Sequence, residues 1–82
     1  MHDYLIAFDL LDQPRDDYKY LWFKLTSLRA RQLLDNVFVV STEDTAVELN
    51  AELRSLLREN DRLLVIGISA TDSGSFNLKQ PL

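Results

Sequence analysis

Tyr4-Leu5-Ile6-Ala7-Phe8-Asp9-Leu10 is an apolar run of strand length with one acid near its far end. Side chains on a strand alternate between its two faces. Tyr4, Ile6, Phe8 and Leu10 therefore share one face, and Leu5, Ala7 and Asp9 share the other. Both faces are apolar, the pattern of a strand that meets water on neither side. An acid at the mouth of such a strand has to be ion-paired, hydrogen-bonded, metal-bound or at the solvent boundary. The rest of the chain reads as what covers the two faces, and the functional question becomes what Asp9 does.

Leu11 to Asp17 is a polar loop with a proline, in which Asp16 or Asp17 is placed to cap a following helix. In that helix Tyr18, Leu21, Trp22, Leu25 and Leu28 form one apolar stripe at helical spacing. Tyr20 and Phe23 fall off the stripe and are candidates for a partner surface. Ala30 to Leu34 has the mixed polarity of an edge strand, and Asp35-Asn36 is a two-residue connection suited to a hairpin. Val37 to Ser41 is a β-branched, central strand. Thr45 with Glu48 matches a capping box, and Ser41 with Asp44 is a competing match. Ala46, Leu49, Leu53, Leu56 and Leu57 then form a second buried stripe, which Asn60-Asp61 ends. Arg62 to Ser69 is a third strand that is apolar on both faces. From Ala70 a Ser/Asp/Gly segment leads to Ser75-Phe76-Asn77-Leu78, a candidate short strand stopped by Pro81.

At 82 residues the chain is one domain, and one this small buries only about 60% of its unfolded surface. It has no cysteine, so neither a disulfide nor a thiolate zinc site can staple it. No apolar run approaches membrane-spanning length, and the start lacks a basic-then-apolar leader. A soluble cytoplasmic protein, with no membrane partner, is expected. The net charge of −4 argues against strong non-specific nucleic-acid binding but permits a local basic patch. His2, the only histidine, reads as a solvated residue and leaves no Ser-His nucleophile. Gly67 and Gly74 are the only glycines, so there is no phosphate-binding loop.

Strand, helix, strand, strand, helix, strand is the order of an α+β, ferredoxin-like βαββαβ domain with an antiparallel sheet. Right-handed crossovers place both helices on one face. The expected core runs over 4–69 of a single domain spanning 1–82, with 70–82 as a tail. Two helices cover one sheet face, yet the strands at 4–10, 37–41 and 62–69 are apolar on both. A homodimer packed through the open faces is therefore expected, with the tail available to add a strand to the partner. The alternative is a monomer whose tail folds back. Asp72, Ser73, Gly74 and Ser75 give that tail little apolar area to offer.

Three stretches in this order resemble a known family. Tyr4 to Leu10, followed by a polar loop and an aromatic helix, is similar to the start of the CRISPR-associated "Cas two" proteins and of the toxin-like VapD proteins. Leu34-Asp35-Asn36-Val37-Phe38-Val39-Val40 resembles the family's hairpin, and Asn60-Asp61-Arg62-Leu63-Leu64-Val65-Ile66 its last core strand. The resemblance spans Tyr4 to about Ser69. It implies a ferredoxin-like fold, a homodimer and, for some members, a metal-dependent nuclease acting on RNA or DNA. Other members are structural subunits of a DNA-integrating complex. The acidic charge and short tail point to a stand-alone relative.

By position, Asp9 matches the acid that the family carries at the end of its first strand. The resemblance makes it the candidate catalytic and metal-binding residue, with Mg2+ or Mn2+ held between Asp9 and its mate in a dimer. Asp12 would be an outer-shell helper. The competing role for Asp9 is structural: capping the next loop or pairing with Arg15. Arg29 and Arg31, with Lys24 nearby, are the candidate nucleic-acid-binding cluster. Arg54, Arg58 and Arg62 form a second, for which pairing with Glu48, Glu59 and Asp61 is the competing account. Two functions remain: a dimeric metal-dependent nuclease, or a non-catalytic homodimeric module that binds protein or nucleic acid.

Overall fold

The computed structural model describes residues 1–69 and 72–80, so the outer parts of the expected tail, including Ala70 and Pro81, lie outside the described residues. The elements are β1 (His2–Asp9), a short 3-10 turn (Arg15–Asp17), α1 (Lys19–Ser27), β2 (Arg31–Leu34), β3 (Val37–Thr42), α2 (Ala46–Arg54) and β4 (Arg62–Gly67). The four strands form one sheet in the order β2-β3-β1-β4, antiparallel throughout. This α+β arrangement is compatible with the ferredoxin-like expectation. β1 and β3 are interior, as expected for β3, and β2 is at an edge. β4 is at the other edge, so its apolarity on both faces does not come from strand neighbours on both sides.

One face of the sheet meets the helices. Tyr4, Ile6 and Phe8 of β1 and Phe38 and Val40 of β3 pack with Tyr18, Leu21 and Leu25 and with Leu49 and Leu53 of α2. The α1 stripe thus faces the core, with Tyr18, Leu21 and Leu25 buried and Trp22 and Leu28 partly so, while Tyr20 and Phe23 stand in solvent. The start of α1 differs from expectation. Asp16 and Asp17 lie inside the 3-10 turn, where the Asp17 N–H donates to Pro14 O at 2.9 Å, and no side chain caps the helix at Tyr18. Its end is a two-bond reversal: Arg29 N–H donates to Thr26 O and Ala30 N–H to Leu25 O, each at 3.0 Å. Arg29 has φ 55° there, a left-handed position that glycine usually fills.

α2 opens with the full capping box. Glu48 N–H donates to Thr45 Oγ1 at 3.2 Å, and Thr45 N–H donates to Glu48 Oε1 at 2.9 Å. The competing match fails because Asp44 N–H turns to Thr42 Oγ1. The helix ends at Arg54, well before Asn60-Asp61. Leu56 N–H and Leu57 N–H then donate to Leu53 O and Arg54 O in tighter i-to-i+3 turns. Leu56 and Leu57 still pack on the core, so the apolar stripe outlives the helix that begins it.

Asp35-Asn36 makes the two-residue turn, with Leu34 opposite Val37 and a register shift between Gln32 and Leu34. On the sheet face away from the helices, Leu33 and Val39 are buried, whereas Leu64 and Ile66 are 52% and 49% exposed. Residues 72–80 return to the β2 edge. Lys79 N–H donates to Leu33 O at 2.9 Å, Gln32 N–H to Gln80 Oε1 at 2.6 Å, and Lys79 Nζ pairs with Asp35 at 3.2 Å. None of 72–80 is in a strand, so Ser75 to Leu78 do not form the one their composition suggests, and Phe76 is exposed.

Candidate functional site

The C-terminal end of β1 is where sequence reasoning places the chemistry. Asp9 stands opposite Arg62 in the ladder, with Oδ2 3.6 Å from Nη1, and both side chains are more than half exposed. It sits at the solvent boundary, paired with Arg62 and not with Arg15. Arg15 is engaged elsewhere. Its guanidinium lies 4.2 Å from the Trp22 ring centre and donates to Asn36 Oδ1 and to Asp35 O. Trp22 Nε1–H closes this arrangement on Arg15 O at 2.9 Å. An exposed ion pair of the Asp9 kind contributes about 0–1 kcal/mol.

The acid on which this end of the molecule turns is Asp61. Its Oδ1 accepts from Leu11 N–H at 2.7 Å, Tyr18 O–H at 2.9 Å and Asp12 N–H at 3.2 Å. Its Oδ2 accepts from Arg58 N–H at 2.8 Å. Burial pushes the carboxyl up, but the donors from Arg58, Leu11, Tyr18 and Asp12 together outweigh it and hold the pKa below the ordinary value. Tyr18 moves the other way: burial first, then its hydrogen bond to Asp61 and the charge there, raise the phenol.

Asp12 returns the tie. Its Oδ2 accepts Asn60 N–H at 2.8 Å, and its Oδ1 accepts Asn60 Nδ2 at 3.0 Å. The loop after β1 and the loop before β4 are thereby fastened by two carboxylates pointing in opposite senses. Asp12 is thus engaged in a loop tie, whatever it does for a metal. The sequence marks Asn60-Asp61 as a helix end and Asp61 as a candidate partner for the nearby arginines, not as the acceptor that ties two loops. The available signal was the preference of Asp and Asn for backbone N–H groups in turns, which names the residue type but not its distant partners. Among the described residues, no group of three or more His, Cys, Asp or Glu is placed to hold a metal.

The basic candidates separate. Arg29 and Arg31 line one surface groove of about 610 Å3 with Val39, Ser41 and Glu43. Arg31 stands opposite Val39, which puts it on the sheet face away from the helices. Lys24 leaves this cluster and bridges the helices to Glu52 at 2.9 Å. Arg54 and Arg58 line a second concavity of about 510 Å3 with Asn50, Leu57 and Leu63, while Arg62 goes to Asp9. Of the acids expected to neutralise them, Glu48 is in the capping box and Asp61 in the loop tie.

No family model matches this chain, and no solved structure matches it significantly.

Proposed function

We propose that this chain is a non-catalytic homodimeric binding module of ferredoxin-like topology, in which a second copy covers the open part of the sheet. The observation that supports this reading is the uneven cover of one face. In register, Leu5 is opposite Ile66 and Ala7 opposite Leu64, which makes a continuous apolar patch. Leu64 and Ile66 are half in water there, while Val39 on the same face is buried. Burying the exposed halves of Leu64 and Ile66 would contribute about 1 kcal/mol each. A chain of this size benefits from such a partner. Sedimentation at micromolar concentration should give a dimer, and Ile66→Asp should give a folded monomer, because a carboxylate in the seam has no counter-charge. A wild-type chain that sediments as a monomer overturns the reading.

A second reading, the metal-dependent nuclease, draws on the resemblance and on the placement of Asp9. Asp9 alternates onto the same face as Leu5 and Ala7, at the end of the patch that a partner would cover. A twofold axis through that patch would bring two Asp9 carboxylates towards one Mg2+ or Mn2+, each leaving Arg62. One chain alone offers one carboxylate there, too few for the oxygen shell of either ion. Arg29 and Arg31 would supply positive charge for RNA or DNA. On this reading cleavage needs Mg2+ or Mn2+, stops with EDTA and stops in Asp9→Asn with the dimer intact. Absence of cleavage by a purified dimer leaves the binding module.

A further inference from the structure

The outer edge of β4 carries a second set of unused groups. Ile68 N–H donates to Asp3 O at 3.0 Å, and Tyr4 to Asp9 pair in step with Gly67 to Arg62. In an antiparallel ladder the residues that bond inward alternate with those that bond outward. Arg62, Leu64 and Ile66 therefore face β1, and the N–H and C=O groups of Leu63, Val65 and Gly67 point away from the sheet. β4 is last in the strand order, and these outward groups meet no partner among the described residues. From Leu63 to Gly67 there is no charge, no proline and no register shift, the devices that ordinarily protect an edge.

The concavity of about 510 Å3 between α2 and β4 adjoins this strand, with Leu57 and Leu63 as apolar wall and Arg54, Arg58 and Asn50 as polar wall. Among the described residues neither guanidinium forms an ion pair. Glu59 is the wall carboxylate left uncommitted, because that of Asp61 already accepts its four hydrogen bonds. We infer that β4 and α2 form a docking groove for an extended, acidic segment of another protein, added to the sheet as a fifth strand with its carboxylates on Arg54 and Arg58. Strand addition supplies backbone partners for Leu63, Val65 and Gly67, and alternate side chains of the segment reach the groove. A nucleic acid would serve the arginines but leave the edge amides unmatched. A second copy paired β4 to β4 would set four guanidinium groups along one seam.

The test uses the full chain and two short acetylated peptides, one alternating Val with Glu and one alternating Val with Lys. In the free protein the amides of Leu63, Val65 and Gly67 should exchange with solvent faster than those of Leu64 and Ile66. The Val/Glu peptide should slow all three and shift the amide signals of Asn50 to Arg58. The Val/Lys peptide should bind at least about tenfold more weakly, and so should the Val/Glu peptide to the Arg54→Glu, Arg58→Glu double variant. Gly67→Pro removes one outward N–H from an edge position that tolerates proline and should weaken binding while the melting temperature is kept. Four results overturn the proposal: no binding of the Val/Glu peptide, equal binding of the two peptides, edge amides already protected in the free chain, or tighter binding of an oligothymidylate at the same arginines.

Discussion

Replacing Asp61 by Asn keeps the size of the side chain and removes its charge. The wild-type carboxylate accepts four hydrogen bonds, three on Oδ1 and one on Oδ2. In Asp61→Asn one oxygen becomes an NH2, so either the Arg58 N–H or the Leu11, Asp12 and Tyr18 donors meet a donor instead of an acceptor. A hydrogen bond to a charged group contributes about 1.5–3 kcal/mol where water is excluded, and less in a loop that water reaches. We expect a loss of about 1–2 kcal/mol, out of the roughly 4–12 available to a chain of this length. That lowers the melting temperature by about 5–15 °C. The pH dependence is the sharper readout. The folded pKa of Asp61 lies below its unfolded value of about 3.9. Its contribution is therefore fully present above that value and lost as pH falls through the folded pKa. Urea melts of wild type and Asp61→Asn should differ at pH 7, and the gap should shrink as the pH falls below the unfolded value and the wild-type carboxyl takes up its proton. A gap below about 0.3 kcal/mol at neutral pH, or one that persists unchanged in acid, would refute the loop-tie role.

Two other substitutions check the helix ends. Arg29→Gly should stabilise the chain by about 0.5–1 kcal/mol in urea melts, because relief of the left-handed strain exceeds the added freedom of the unfolded glycine; a net loss would mean that the arginine side chain has a structural role at that position. Thr45→Ala should cost about 1 kcal/mol by removing half of the capping box at the start of α2, and a change within error would mean that the helix needs no cap.

Where the sequence was legible, the reason is periodicity. The α1 stripe from Tyr18 to Leu28, the alternation of Tyr4, Ile6 and Phe8, and the Thr45/Glu48 box are local patterns, set by residues a few positions apart. The less legible features depend on partners distant in sequence or on a conformation at odds with residue preference. Nothing near Arg29 advertises φ > 0, since glycine is the usual marker of that position. The early end of α2 was hidden because Leu56 and Leu57 stay on the core after the helix stops. Asp61 finds Leu11 and Asp12 about fifty positions away, and only the folded chain brings them together.

The distribution of charge separates what holds the fold from what is left for a partner. Asp12 and Asp61 fasten the loops around β1, Glu48 closes a helix, Glu52 bridges the helices through Lys24, and Asp35 holds the returning tail through Lys79. Asp9 pairs with Arg62 at the sheet end, in the open, where the pair contributes little and is readily exchanged. An acid that can change partner at such low cost is suited to a contact that forms only on assembly. The same reasoning applies to Arg54 and Arg58: of their expected acidic partners, Glu48 and Asp61 are engaged in structure, and Glu59 forms no ion pair with either among the described residues. Asp9, Arg54 and Arg58 flank two open surfaces, the half-exposed apolar patch of Leu64 and Ile66 and the edge of β4. If both proposed contacts form, they meet at β4, one on its sheet face and one along its outer edge, with β1 paired to its inner edge.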